Sequence, residues 1–327
     1  FGSFRFSFIP PLMIYLAAGV SGLTNIVGLF FVKEYLELSA SFLAGLGFWA
    51  GLPWILKMPL GHLVDLLWRF KSLLVFLGAI VMSASSLIMY FLIRHKPMMI
   101  DLLSAESWFV VSTLLAPIGF VLQDVVADAM TVEAVPKVDK KGNKIDFKIL
   151  KSLNVSMQML GRISIILGTF FVSVINLIVF SDSSEMSDLE KVNAYSQVYL
   201  YSLVVPLISV SGVFIANIVK RQEYNKLIEN GLEILKAREL VFPVLEKTKP
   251  NLIIIFGSLI FVIFTILMGT LKIPFSQEIV FLGSMLIIFL LLKKLSQELD
   301  YLSKNMLIGT AIIIFVFRAI PGVGQGG

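Results

Sequence analysis

The chain contains no cysteine and only two histidines, His62 and His95. That excludes disulfides, thiolate metal sites and cysteine nucleophiles. Two histidines near loop ends are too few for a histidine metal cluster. Charge is scarce too: 15% of the 327 residues are Asp, Glu, Lys or Arg, against about 25% in a soluble domain. Apolar residues fill the gap at 57%, and the mean hydropathy is +0.90. A soluble enzyme, a nucleic-acid-binding domain and a disordered chain are all excluded by that balance. The net charge of +5 and the pI near 9.2 are then read as lysines gathered on the cytoplasmic loops of a membrane protein.

Apolar runs broken by charge predict spans at 8–32, 40–64, 72–93, 107–132, 152–180, 197–219, 251–271, 277–292 and 305–321. A helix rises 1.5 Å per residue and the hydrocarbon core is about 30 Å thick, so runs of this length suit helices. They are too long and too uninterrupted for barrel strands. The first run is also too long for a signal-peptide core. The expected fold class is therefore all-α: a polytopic membrane protein with about nine transmembrane helices. Residues 1–220 are expected to form a first six-helix bundle, 221–250 a cytoplasmic amphipathic linker, and 251–327 further transmembrane helices. In the linker, Tyr224, Ile228, Leu232 and Leu235 fall on one helical face. The chain starts at Phe1 and ends just after an apolar run, and it reads as a fragment of a longer protein.

With the start of the chain placed in the cytoplasm, 19 of the 27 Lys and Arg residues fall on inside segments and five on outside ones. This asymmetry predicts a cytoplasmic N-terminus in a multi-pass protein. Lys57, Arg162 and Arg318 lie within spans.

Charges inside a membrane are costly unless paired or hydrated, so each is a functional candidate. Lys57, Asp124 and Arg162 all fall about 12–15 Å from the cytoplasmic boundary at 1.5 Å per residue. Asp128 is one turn from Asp124 on the same face. Gln123 and Gln158 are candidates for the same polar layer. Two readings fit: a buried charge network that fixes helix packing, or a substrate and proton site facing a water-filled cavity. In the second, Asp124 is the proton carrier, because burial in an apolar cavity favours a neutral carboxyl. Arg162 and Lys57 suit an anionic substrate, Arg through two parallel hydrogen bonds to a carboxylate.

The turn after the second span reads Gly61-His62-Leu63-Val64-Asp65-Leu66-Leu67-Trp68-Arg69-Phe70-Lys71. It resembles the conserved loop of the major facilitator superfamily, with Leu66 and Trp68 in place of that loop's Arg and Gly. Pro53-Trp54-Ile55-Leu56-Lys57-Met58-Pro59-Leu60-Gly61 with Asp65, Asp124-Val125-Val126-Ala127-Asp128-Ala129 with Glu133, and Phe315-Val316-Phe317-Arg318-Ala319-Ile320-Pro321 resemble the folate–biopterin transporter family of that superfamily. The resemblance implies a secondary active transporter, a proton-coupled symporter of folate-like or pterin-like solutes. Its substrate and proton groups would be Lys57, Asp124, Asp128 and Arg162, and its gating loop Gly61, Asp65, Arg69 and Lys71. If 305–321 opens the second bundle, the two spans before it are an inserted pair; otherwise that bundle begins at 251.

The expected partners are a small-molecule solute, protons and the lipid bilayer, with no nucleic acid, and the chain is expected to act as a monomer. No cofactor, no metal and no catalytic residue is implied. A different reading remains: Asp124-x-x-x-Asp128 would bind Mg²⁺ and a diphosphate in an intramembrane prenyltransferase. A third is a non-transporting scaffold or receptor with the transporter fold.

Overall fold

The computed structural model describes residues 5–24, 27–28, 36, 39–55, 57–136, 138, 143–181, 186–242, 250–270 and 274–319. It separates into two compact units, Phe1–Pro250 and Asn251–Gly327. The first contains α1 (Ile9–Val20), α2 (Ala40–Ile55), α3 (Lys57–Leu66), α4 (Lys71–Arg94), α5 (Lys96–Ile100), α6 (Ala105–Ala134), α7 (Phe147–Val179), α8 (Asp188–Ser202), α9 (Val204–Glu229) and α10 (Ile234–Val241). The second contains α11 (Leu252–Thr270), α12 (Ser276–Leu295) and α13 (Tyr301–Ala319). Among the described residues there is no strand, only an isolated bridge between Val138 and Lys144.

The chain is thus an all-α membrane protein. Among the described residues, four helical stretches are long and apolar enough to cross a membrane: α4, α6, α7 and the run Asp188–Glu229. Nine were expected. The apolar stretches Phe6–Val20, Leu252–Met268 and Glu278–Ile287 are helical but shorter. Of the expected first span, residues 25–26 and 29–32 lie outside the described residues.

The expected span 197–219 is made of two helices, and proline gives the reason: Pro206 has no N–H to donate to the Ser202 carbonyl, where α8 ends. In the expected span 40–64, residue 56, between α2 and α3, lies outside the described residues. The starts of the long helices are specified locally. Ser104 accepts the Ser107 N–H at 3.2 Å ahead of α6, and Asp146 accepts the Lys148 N–H at 2.8 Å ahead of α7. Ser187 and Glu190 form a capping box at α8. The expected linker face is interrupted: Tyr224 and Ile228 belong to α9, whereas Leu235 belongs to α10. Gly231, at φ +86°, takes the left-handed conformation that ends α9.

In the first unit α6 is central. It packs along α4 on one side and against α1, α2 and α3 on others, while α1 also packs on α7 and α9. The contact between α4 and α6 is made close by glycine. A Cβ on Gly119 would stand 2.7 Å from the Gly78 carbonyl oxygen, so the two backbones touch where side chains would hold them apart. Further along the same pair, the Ser85 and Ser112 hydroxyls lie 3.0 Å apart, each near the other's carbonyl. Val75, Val121, Val125, Val126 and Met130 fill the interior between α4 and α6, joined by Ile14 and Tyr15 of α1.

In the second unit α11 packs on α12, with the Phe264 ring against Gly283. Asp300 accepts the Ser303 N–H at 3.3 Å ahead of α13. Hydrogen bonds from Ser303, side chain and backbone, hold the Asp300 carboxyl below the usual carboxylate range.

Candidate functional site

Helix α6 presents Asp124 and Asp128 one turn apart, and α3 brings its first residue, Lys57, between them. The Lys57 ammonium lies 2.5 Å from Asp124 Oδ2 and 2.8 Å from Asp128 Oδ2. From α1, the buried Tyr15 hydroxyl donates to Asp128 Oδ1 at 2.6 Å. Asp124 is the more enclosed carboxylate, its side chain 14% exposed against 48% for Asp128. Lys57 is 39% exposed, so the cluster is open to one side rather than sealed.

Tyr15 also links the cluster to α7. Its ring edge packs over Gly161, where a Cβ would come within 2.9 Å. The next residue is Arg162. Arg162 is exposed and makes no ion pair among the described residues. The site therefore holds two carboxylates with one cation, Lys57, clasped between them, and Arg162 is uncommitted nearby, next in sequence to the glycine under the Tyr15 ring.

The two glutamines do not join this cluster directly. Gln123 points the other way and donates to the Val75 carbonyl of α4 at 3.0 Å. Gln158 of α7 donates to Thr131 Oγ1 at 3.3 Å, and Thr131 in turn donates to the Asp128 carbonyl at 2.7 Å.

The residues expected in a gating loop disperse. Gly61 lies in α3 and faces Val125 of α6. Asp65 is exposed and without an ion pair among the described residues. The backbone of Arg69 lies in the short turn Trp68–Phe70; its side chain, like that of Arg318, is outside the described residues. Lys71 bridges the loop to the end of α6. Its ammonium pairs with Glu133 at the end of α6 and sits 3.8 Å from the centre of the Trp68 ring. Lys220 of α9 reaches the other oxygen of Glu133 at 2.5 Å.

Sequence reading missed Tyr15, Glu133 and Lys220 as parts of these clusters. A tyrosine inside an apolar run gives no polar signal. Glu133 carries one: it is a carboxylate at the end of a span that borders a lysine-rich loop. As for the Mg²⁺ reading, Asp124 and Asp128 meet on the Lys57 ammonium, the position that a chelated cation would take. Among the described residues no group of three metal-ligating side chains is present.

Compared with family models, with curated proteins and with solved structures, the chain shows no match.

Proposed function

We propose that this protein is a secondary active transporter that moves a small organic anion across the membrane together with a proton. Its spans would form a multi-pass bundle with a cytoplasmic N-terminus, as the lysine asymmetry favours. In this reading it belongs with the major facilitator superfamily, nearest the folate–biopterin transporters that its motifs resemble. The observation that carries the proposal is the contact of Lys57 with both Asp124 and Asp128 beside the uncommitted Arg162.

The chemistry follows from charge balance. With both carboxylates ionised, Lys57 and Arg162 bring the cluster to neutrality. A proton on Asp124 weakens its hold on Lys57 and leaves the cluster with one excess positive charge. An anion entering beside Arg162 restores neutrality, and a guanidinium takes a carboxylate through two parallel hydrogen bonds. Proton and anion thus favour each other's binding, and an excess charge in an apolar setting is costly enough to couple them. Alternating access around this cluster turns the coupling into symport.

Uptake of labelled folate and biopterin by cells carrying the full-length protein tests this, with and without a proton gradient. Gradient-driven uptake is expected in the wild type. In Asp124→Asn it is expected to fall at least tenfold at matched expression. Full gradient-driven uptake in Asp124→Asn would remove the proton role. Arg162→Lys is expected to lower substrate affinity, since lysine keeps the charge and loses the fork; unchanged affinity would remove the bidentate contact.

A further inference from the structure

Away from the Lys57 cluster, a second group of charges lies where the apolar parts of α4, α6 and α9 end. Two ammoniums, Lys71 and Lys220, share one carboxylate, Glu133. Both lysines are largely enclosed, 16% and 25% exposed. Each ammonium carries three N–H donors, and Glu133 takes one from each. Around them, Glu223 of α9 lies within electrostatic reach of Lys220, Lys226 and Arg5. Among the described residues, the two enclosed ammoniums thus share a single carboxylate in direct contact.

A cleft opens beside the two lysines. Lys71, Ser72, Asn217 and Lys220 form its polar mouth, and Val126 and Met130 of α6 are part of its apolar floor. Its enclosed part is about 30 Å³, and about 300 Å³ counting the open mouth. The enclosed part has room for a water, so a larger group would sit at the mouth. Beside it, the Phe76 and Phe214 rings meet edge to face at 6.0 Å between centres. The cleft is a short notch that opens where charge replaces the apolar parts of α4, α6 and α9.

We propose that this notch binds the phosphate of an anionic phospholipid headgroup. The two enclosed lysines share one carboxylate, the notch presents hydroxyl and amide donors around them, and it opens where the apolar parts of α4, α6 and α9 end, the place at which membrane helices meet lipid phosphates. Basic pockets between membrane helices recognise headgroups by this chemistry. The site is separate from the Lys57 cluster and does not depend on what the protein transports. Its occupant would tie α4 and α9 to α6 at this end of the bundle, so lipid composition would tune the stability of the first unit.

The experiment uses the purified full chain in neutral detergent and follows thermal unfolding. Four additions are compared at equal concentration: dioleoyl phosphatidylserine, dioleoyl phosphatidylcholine, glycerophosphoserine and inorganic phosphate. Phosphatidylserine is expected to raise Tm by about 2–4 °C, with the other three leaving it within 1 °C. Lys220→Gln is expected to lose most of that rise. Asn217→Asp leaves the Lys–Glu pairs intact and sets a negative charge at the mouth, so it serves if Lys220→Gln does not fold, and it is expected to lose the rise as well. An equal rise with phosphatidylcholine, or an undiminished rise in the variants, would overturn the site. An equal rise with inorganic phosphate or glycerophosphoserine would overturn the assignment to lipid.

Discussion

Tyr15 and Lys57 hold the same carboxylate in different ways, and their removal should not cost the same. Tyr15→Phe keeps the ring over Gly161 and deletes one hydrogen bond to Asp128. A hydrogen bond to a charged group contributes about 1.5–3 kcal/mol, and the half-exposed Asp128 argues for the low end. Lys57→Met leaves Asp124 and Asp128 facing each other with no cation between them. A fully buried pair broken this way costs about 3–5 kcal/mol; with Lys57 39% exposed, about 2–3 kcal/mol is expected after screening. Asp124→Asn added to Lys57→Met should recover part of that loss, because the charge left behind is then halved. Chemical unfolding of these purified variants, with Asp124→Asn alone beside them, measures the losses. Strict additivity of the two substitutions would mean that the contact contributes nothing. Part of this cluster was legible in the sequence. Lys57 and Asp124 stood out because charge is rare in these runs and because counting residues from the span ends put them, with Arg162, at one depth; Asp128 followed as the carboxylate one turn from Asp124. The shared carboxylate of Lys71 and Lys220 was not legible, since its partners lie 62 and 87 positions from Glu133 and nothing local links them.

The same contrast holds for whole helices. Expected spans 72–93, 107–132 and 152–180 correspond closely to α4, α6 and α7, because charge or a cap residue marks each end. Span 197–219 was read as a single helix. Hydropathy does not register the missing N–H of Pro206, and the helix is interrupted at Leu203. Hydropathy is equally silent on which glycines touch another helix. Gly119 meets the Gly78 carbonyl and the Met82 side chain, whereas a Cβ on Gly45 of α2 would meet nothing within 4 Å. Gly119→Val should therefore force α4 and α6 apart and cost about 1–3 kcal/mol. Gly45→Ala should gain up to about 1 kcal/mol from helix propensity alone. Comparing Tm for the two variants checks this, and equal losses would contradict the close approach of α4 and α6.

For the molecule as a whole, the missing cysteines become an asset, since any cysteine introduced is the only one to react. Helix α7 has 33 residues and so spans about 50 Å, more than the 40–45 Å of a bilayer with its headgroups. Lys144 precedes it and Leu189 follows it, and both are exposed. If α7 crosses the membrane, Lys144→Cys and Leu189→Cys must lie on opposite sides. In the proposed orientation Lys144 lies inside. In sealed right-side-out vesicles an impermeant maleimide should label Leu189→Cys and spare Lys144→Cys until the vesicles are opened. Labelling of both beforehand would mean that α7 does not cross. The reverse pattern would keep the crossing and invert the orientation, moving the Glu133 lysine cluster, and the notch beside it, to the outer leaflet.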